Sequence, residues 1–210
     1  MPAHIERLAA GHKELLGSFT CSKTFGADHL SRFLHEKAWP EQEQLCNTTY
    51  VVRSDDGNRI DAYVTLSTRT VGLPQPWRKK HNIPRSEVPA MFIGYVAVHD
   101  DLLGKGVGLD ILAWVKARAF AMNQFIGMRV LFLEVQAGNW GAFRQYAQKW
   151  GFVAIPLKAT EANPNVRQPN ADSPSRPDNI EPDEMIGMFY DLYNEFGAYM
   201  APSELGLTDV

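Results

Sequence analysis

Cysteine is almost missing from this chain: its 210 residues hold two, Cys21 and Cys46. A disulfide framework is thereby excluded as the basis of the fold, and two buried thiols in a reducing, cytoplasmic setting are the default expectation. Long apolar runs are missing too. No stretch approaches the roughly 20 residues that cross a bilayer, and the N-terminus does not read as a secretory leader. The six histidines, His4, His12, His29, His35, His81 and His99, are scattered and form no Cys/His cluster at ligand spacing, so no metal site is expected. Charge of one sign is not in excess either. A net charge of −3 excludes a strong general attraction to nucleic acid and leaves room only for a local basic patch. No internal repeat is found.

What is present is an apolar fraction of 45% and a charged fraction of 21%, the balance of an ordinary globular protein with a sizeable core. One domain over residues 1–210 is expected at this length. The most informative stretch runs from Phe92-Ile93-Gly94-Tyr95-Val96-Ala97-Val98 through His99-Asp100-Asp101-Leu102 to Leu103-Gly104-Lys105-Gly106-Val107-Gly108. Its apolar, β-branched and aromatic opening predicts a buried strand. The glycines predict a turn, and Leu109, Leu112, Val115, Ala119 and Met122 recur at helical spacing behind it. Strand, glycine turn and helix N-terminus make an anion site. Backbone N–H groups point outward, the helix dipole favours negative charge, and the missing Cβ atoms let a phosphate come close. Lys105 adds a positive charge, while a purely structural turn is the alternative. Neither G-x-G-x-x-G nor G-x-x-x-x-G-K-[ST] fits these positions, so the ligand is expected to be a phosphate-bearing cofactor of another kind.

In chain order, Ile5, Leu8, Ala9, His12, Leu15 and Leu16 predict an N-terminal helix over 1–16, ending at Gly17. Phe19 to Thr24 reads as a first strand. Asp28 is a candidate N-cap for a helix through Leu30, Phe33, Leu34 and Lys37 that ends before Pro40. Thr48 to Arg53 and Ile60 to Ser67 predict a hairpin around Asp55-Asp56-Gly57-Asn58. Between Arg69 and Pro89, four prolines predict a surface loop with at most one helical turn. There Arg78, Lys79 and Lys80 beside Trp77 offer a polyanion-binding patch, with a solvated basic loop as the alternative. Arg129 to Val135 is a strand, and Asn139 caps a helix carrying Phe143, Tyr146 and Trp150. Gly151 ends that helix, and Phe152 to Ile155 starts another strand. From Pro156 to Pro182 the Pro, Asn, Asp, Ser and Arg composition predicts a flexible insertion, taken as 157–185, before a final strand at Met188 to Tyr193 and a tail over 194–210.

This order of elements resembles the Gcn5-related N-acetyltransferase (GNAT) superfamily. Its central motif, V-H-P-D-Y-R-G-R-G-I-G, is similar to Val98 through Gly108, with the glycines and the basic Lys105 in register. The Arg or Gln that usually opens the loop is Leu103 here, which removes one side-chain contact and no backbone donor. The family's N-x-x-A-x-x-L-Y segment matches Asn139, Ala142 and Tyr146, with Gln145 at the apolar place. The resemblance covers roughly residues 17–156 and the last strand. It implies an α+β fold with a mixed, mostly antiparallel sheet of about six to seven strands flanked by helices. Within the superfamily, His29 to Leu34 with Ala38, Tyr50 to Val52, Thr65 to Ser67 and Val88-Pro89-Ala90 are similar to the tRNA-acetylating (TacT-like) toxins. Such toxins are usually basic, which this chain is not, and the insertion after Pro156 is a further departure.

The resemblance implies acetyl-coenzyme A as cofactor and a primary amine as acceptor. A narrower alternative is the α-amine of aminoacyl-tRNA, with Arg78, Lys79 and Lys80 on the substrate. An alternative of another class is an acyl-coenzyme A-binding or protein-interaction module without turnover. Backbone groups of Tyr95, Val96, Ala97 and Val98 are expected on the pantetheine, amides of Leu103, Gly104, Lys105, Gly106, Val107 and Gly108 on the pyrophosphate, and Asn139 near the cofactor. An amide near Ala97 or Val98 would receive the developing oxyanion. Tyr146 is implied as general acid to the leaving thiol. Counted back from Gly151, however, that place falls on Ala147, and one extra residue turns a helix by roughly 100°. Glu134 and His99 are the candidate bases, His99 also being a common family residue without a chemical role. A homodimer completes the expectation.

Overall fold

The computed structural model describes residues 4–23, 25–158 and 167–193. Among the described residues, seven strands and six helices alternate in a mixed α+β order: β1 (Ile5–Arg7), α1 (Lys13–Leu16), α2 (Ala27–Arg32), α3 (Ala38–Glu43), β2 (Thr48–Arg53), β3 (Ile60–Gly72), α4 (Gln75–Lys80), β4 (Glu87–Val98), α5 (Val107–Met122), β5 (Val130–Gln136), α6 (Trp140–Trp150), β6 (Val153–Ala154) and β7 (Met185–Asp191). The strands follow the sheet order β1-β2-β3-β4-β5-β7-β6, and the pairs β1–β2, β2–β3, β5–β7 and β6–β7 are antiparallel. No helix among the described residues is long and apolar enough to cross a membrane.

The chain divides into two compact units, one formed by residues 1–67 and 92–117, the other by 68–91 and 118–210. In the first, Phe19, Phe33, Leu34, Val51, Ile60, Tyr63 and Ala97 form one buried cluster with Leu8 and Leu16. The predicted hairpin is present: Gly57 takes φ +73 at the turn, and the Asp56 carboxylate accepts from the Asn58 N–H at 3.1 Å and the Ser54 hydroxyl at 2.6 Å. In the second, β5 pairs with β7 along its whole length, from Val130 opposite Asp191 to Gln136 opposite Met185.

Several expectations are corrected. Of the helix expected over 1–16, the described residues 4–16 do not form one continuous helix. Ile5–Arg7 pairs with Tyr50–Val52 as an edge strand, Glu6 is bonded to Arg53, and only the turn Ala10–His12 followed by α1 is helical. A helix of that length has little stability of its own, whereas edge pairing satisfies β2. Phe19 and Cys21 are buried without strand pairing; the Cys21 N–H is taken by Ser31 Oγ at 3.0 Å. Cys46 is exposed rather than buried. Gly26 at φ +74, not Asp28, caps α2. The helix also runs past Pro40, because Phe33–Lys37 forms a π-turn, with the Ala38 N–H reaching the Phe33 carbonyl. That wide turn restarts the helix, so the missing N–H of Pro40 falls in the first turn of α3.

The basic loop is shorter than expected, because β3 extends to Gly72 and β4 begins at Glu87. On α5, Ile111, Leu112, Val115 and Ala119 are buried while Met122 is exposed. The insertion is anchored where it is described. Trp140 Nε1 donates to the Ser173 carbonyl at 3.1 Å, and Arg144 Nε and Gln148 Nε2 both donate to the Ala171 carbonyl. Ile180 is fully buried. The remainder of the insertion, 159–166, and the tail 194–210 lie outside the described residues.

Candidate active site

The first unit carries β4 and the glycine turn. After Val98, His99 caps a single helical turn, Asp100–Leu102: its Nδ1 accepts from the Asp101 N–H at 3.3 Å. Nδ1 as acceptor places the ring proton on Nε2, which faces Thr20 Oγ1 at 3.2 Å. His99 is buried, and its own N–H donates to the Asp61 carbonyl at 2.8 Å. Asp100 accepts from Ser22 N–H, Ser22 Oγ and Lys23 N–H, which hold its carboxyl below the usual range. The turn is thus tied down on its outer side.

Gly104 and Gly106 take φ +77 and +89, and no atom lies within 4 Å of a Cβ built on either. The positive φ is the reason for glycine at both places. Lys105 spends its N–H on the Leu102 carbonyl at 3.2 Å, so it offers the turn a side chain and not an amide. The first carbonyl of α5 to be used is that of Gly106, which accepts from Leu109 and Asp110. The N–H groups of Gly106, Val107 and Gly108 precede it and have no helical acceptor. Three amides, a dipole end and an open face fit a pyrophosphate. A neighbouring cavity of about 650 Å³ is lined by Arg53 and Lys105 but also by Asp55, Asp61 and Asp110. That cavity therefore carries both signs of charge and is less suited to an anion than the turn.

Upstream, Val98 faces α5 and lies 3.7 Å from where a Gly108 Cβ would stand. Tyr95 and Ala97 face the α2 side: Ala97 is part of the buried cluster and Tyr95 packs against it. The Tyr95 ring lies 4.2 Å from that of Phe33, its hydroxyl is 3.0 Å from His29 Nε2, and its N–H donates to Thr65 Oγ1 at 2.8 Å. Burial, with the charge of Glu41 as a lesser cause, holds the Tyr95 phenol above its ordinary value. The polar partnership of Tyr95 was not anticipated from sequence. The signal was there, because Tyr95 is the one polar side chain in the run Phe92–Val98.

The second unit carries β5 and α6. Asn139 caps α6, its side-chain oxygen accepting from the Ala142 N–H at 3.3 Å, a bond that does not use its amide NH2. Gly151 closes the helix at φ +71. The N–H groups of Gly151 and Phe152 both reach back to the Tyr146 carbonyl. A standard helix end with glycine at this place would send the second of these to residue 147. The extra residue before Gly151 is therefore absorbed in the last turn, and Tyr146 keeps its spacing from Asn139. Tyr146 is half-buried, edge-on to Phe152, and burial pushes its phenol up to about 12. It is a neutral O–H donor at ordinary pH. Glu134 on β5 forms an ion pair with Arg69 at 2.9 Å, a partner that sequence spacing does not reveal. On α4, Arg78 Nε donates to the Leu73 carbonyl at 3.1 Å and supports the loop, while Lys79 and Lys80 are exposed.

A model of the acetyltransferase (GNAT) family matches residues 15–152. The structure of AtaT complexed with acetyl-methionyl-tRNAfMet is similar with a TM-score of 0.67 at 19% identity, over 94% of this chain and 99% of that one. A tyrosine-to-phenylalanine variant of KacT gives 0.67 at 20% identity, over 94% and 99%. AtaTR bound with AcCoA gives 0.62 at 18% identity, over 95% and 100%. At these identities the likeness to solved structures is one of fold, while the family match itself spans more than half of the sequence. The chain belongs to the acetyltransferase (GNAT) family.

Proposed function

We propose that this chain acts, as a single acetyltransferase domain, on a primary amine with acetyl-coenzyme A as donor, and that its acceptor is the α-amine of aminoacyl-tRNA. The observation that carries the reading is the glycine turn at the N-terminus of α5, whose Gly106, Val107 and Gly108 amides have no helical acceptor, set in a chain of this family. Acetyl-coenzyme A, when bound, supplies an activated acetyl thioester. Gly106, Val107 and Gly108 hold the pyrophosphate through backbone N–H groups, with Leu103 and Gly104 shaping the approach and Lys105 adding charge. Backbone groups of Tyr95 to Val98 align the pantetheine arm, and Asn139 contributes its side-chain amide. Tyr146 holds a proton at Oη for the departing sulfur, a role suited to a phenol that stays neutral. His99 and Glu134, both engaged with neighbours, serve to hold the turn and β5 rather than to move protons.

The tRNA part of the proposal is supported by AtaT, whose structure holds acetyl-methionyl-tRNAfMet, and by the exposed Lys79 and Lys80 on α4. Against a strong phosphate footprint stands the net charge of −3, so a short patch has to carry the contact. Self-association into a homodimer belongs to the same proposal. The exposed Met122, Phe125 and Ile126 offer an apolar contact for it, and sedimentation at two concentrations tests that part. Transfer of a labelled acetyl group to charged tRNA and to small amines, compared side by side, tests the acceptor. Label in tRNA that is lost on prior deacylation supports the reading; label only in small amines removes the tRNA part.

A further inference from the structure

An amine attacks only through a free lone pair, so a protonated acceptor must first lose a proton. The two groups that sequence offers for this are occupied. Glu134 is paired with Arg69 at 2.9 Å, and both ring nitrogens of the buried His99 face partners of their own. Another pair on the first unit is not committed in this way. Tyr95 is the only side chain of Phe92–Val98 able to pass a proton, and it projects from β4 toward α2. Its hydroxyl stands 3.0 Å from Nε2 of the exposed His29, and among the described residues Tyr95 is the one hydrogen-bond partner of that ring.

The placement of Tyr95 is built. Phe33 covers its ring, and Thr65 Oγ1 fixes its N–H. Gly94 makes the second contact possible, because a Cβ there would stand 2.8 Å from the same Thr65 Oγ1. A tyrosine hydroxyl that donates to Nε2 keeps acceptor capacity for an incoming N–H. We propose that Tyr95 receives the acceptor amine at Oη and passes a proton from it to His29. Tyr95 is then a catalytic residue, and His29, acting through it, a positioning residue. This rests on the acetyltransferase reading.

In the step, the N–H bond of the ammonium breaks and its electron pair stays on nitrogen. An O–H bond forms at Tyr95 Oη while the original O–H proton bonds to His29 Nε2. The positive charge moves from amine to imidazole, and His29 later returns the proton to water. Nothing is oxidised or reduced. Tyr95 relays the proton without storing it, because burial and Glu41 both disfavour its phenolate. The other ionisable groups nearby are Glu41 of α3, bonded to Asn47 Nδ2 at 2.6 Å, and Tyr63 of β3, whose hydroxyl donates to the Leu30 carbonyl at 2.7 Å. Asp28 and Arg32 lie on α2 itself.

The test uses the full chain, with methionine methyl ester and methionyl-tRNA as acceptors, and the variants Tyr95→Phe and His29→Gln. Phenylalanine keeps the packing on Phe33, and glutamine keeps a hydrogen bond without accepting a proton. Turnover with either acceptor is expected to fall roughly 100-fold, with coenzyme affinity unchanged. The deficit should shrink as pH rises and the acceptor deprotonates itself, a dependence that a structural role does not produce. A deficit equal at every pH, or none, overturns the proposal. A second readout needs no turnover: the imidazole resonances of His29 should move when the methyl ester is added to the wild type, and not in Tyr95→Phe. No movement in the wild type overturns the proposal even where acetyl transfer is seen. Movement without transfer to any acceptor supports this amine site and removes the acetyltransferase reading instead.

Discussion

Replacing Gly106 by Ala isolates the anion-binding turn from the rest of the fold. Gly106 sits at φ +89 with no atom within 4 Å of the position a Cβ would take. The substitution therefore adds no clash, and its cost to folding is the backbone term alone, about 1–2 kcal/mol for an L-residue held in left-handed space. For a chain of this size that lowers the melting temperature by roughly 2–8 °C. The cost to the cofactor is separate. The new methyl group stands in the open space beside the turn, where the amides of Gly106, Val107 and Gly108 are proposed to hold the pyrophosphate. Acetyl-coenzyme A at a hundredfold excess over Kd stabilises the native state by about 2.7 kcal/mol, and a tenfold loss of affinity reduces this to about 1.4 kcal/mol. Thermal melts with and without acetyl-coenzyme A read both quantities. Gly17, at φ −64 with nothing within 4 Å, is the control, because Gly17→Ala should change neither. If Gly106→Ala melts earlier yet keeps the full ligand-induced shift, the turn is structural and the phosphate argument fails.

Four further outcomes are expected. Tyr146→Phe should cut acetyl transfer by about two to four orders of magnitude while leaving coenzyme binding intact, and unchanged turnover would remove Tyr146 as proton donor. The same phenol affects alkaline stability. Between its ordinary value of 10.0 and its folded value of about 12, the unfolded chain has lost the proton and the native chain keeps it. Stability therefore falls as pH rises, by at most about 1.4 kcal/mol per unit from this group, and Tyr146→Phe should flatten that slope in denaturant titrations. Asp191 is buried and accepts from Arg129 Nη2 at 2.9 Å and Trp77 Nε1 at 3.3 Å. Asp191→Ala leaves a guanidinium unpaired and should cost about 3–5 kcal/mol; a loss below about 1 kcal/mol would mean that water replaces the carboxylate. Replacing Lys79 and Lys80 together by Ala should weaken transfer to charged tRNA and spare small amines. The salt slope should fall by roughly 0.9 for each phosphate that is no longer neutralised. Equal effects on both acceptors would count against RNA binding at α4.

Local chemistry made much of this molecule legible in advance. Asp56 and Gly57 encode the hairpin turn, Asn139 and Gly151 the two ends of α6, and the glycine series the turn before α5, each through a rule that acts within a few residues. What was not legible depends on partners distant in sequence. Ile5–Arg7 carries a helical pattern and becomes a strand because β2 needs an edge. Pro40 reads as a stop signal, and the preceding π-turn removes its penalty. The composition of the insertion predicts looseness, yet Trp140, Arg144 and Gln148, four residues apart on one face of α6, bind its backbone. At the site the division is the same. Backbone donors in the turn follow from glycine spacing, whereas the pairings of Tyr95 with His29 and Glu134 with Arg69 exist only once the sheet has formed.

The central claim is turnover, and release of free thiol from acetyl-coenzyme A in the presence of acceptor tests it most directly. The account predicts one thiol released per amine acetylated with charged tRNA, suppressed in Tyr146→Phe at unchanged coenzyme affinity. Tight coenzyme binding without thiol release, across charged tRNAs and small amines alike, would contradict it and leave a binding module on an acetyltransferase fold.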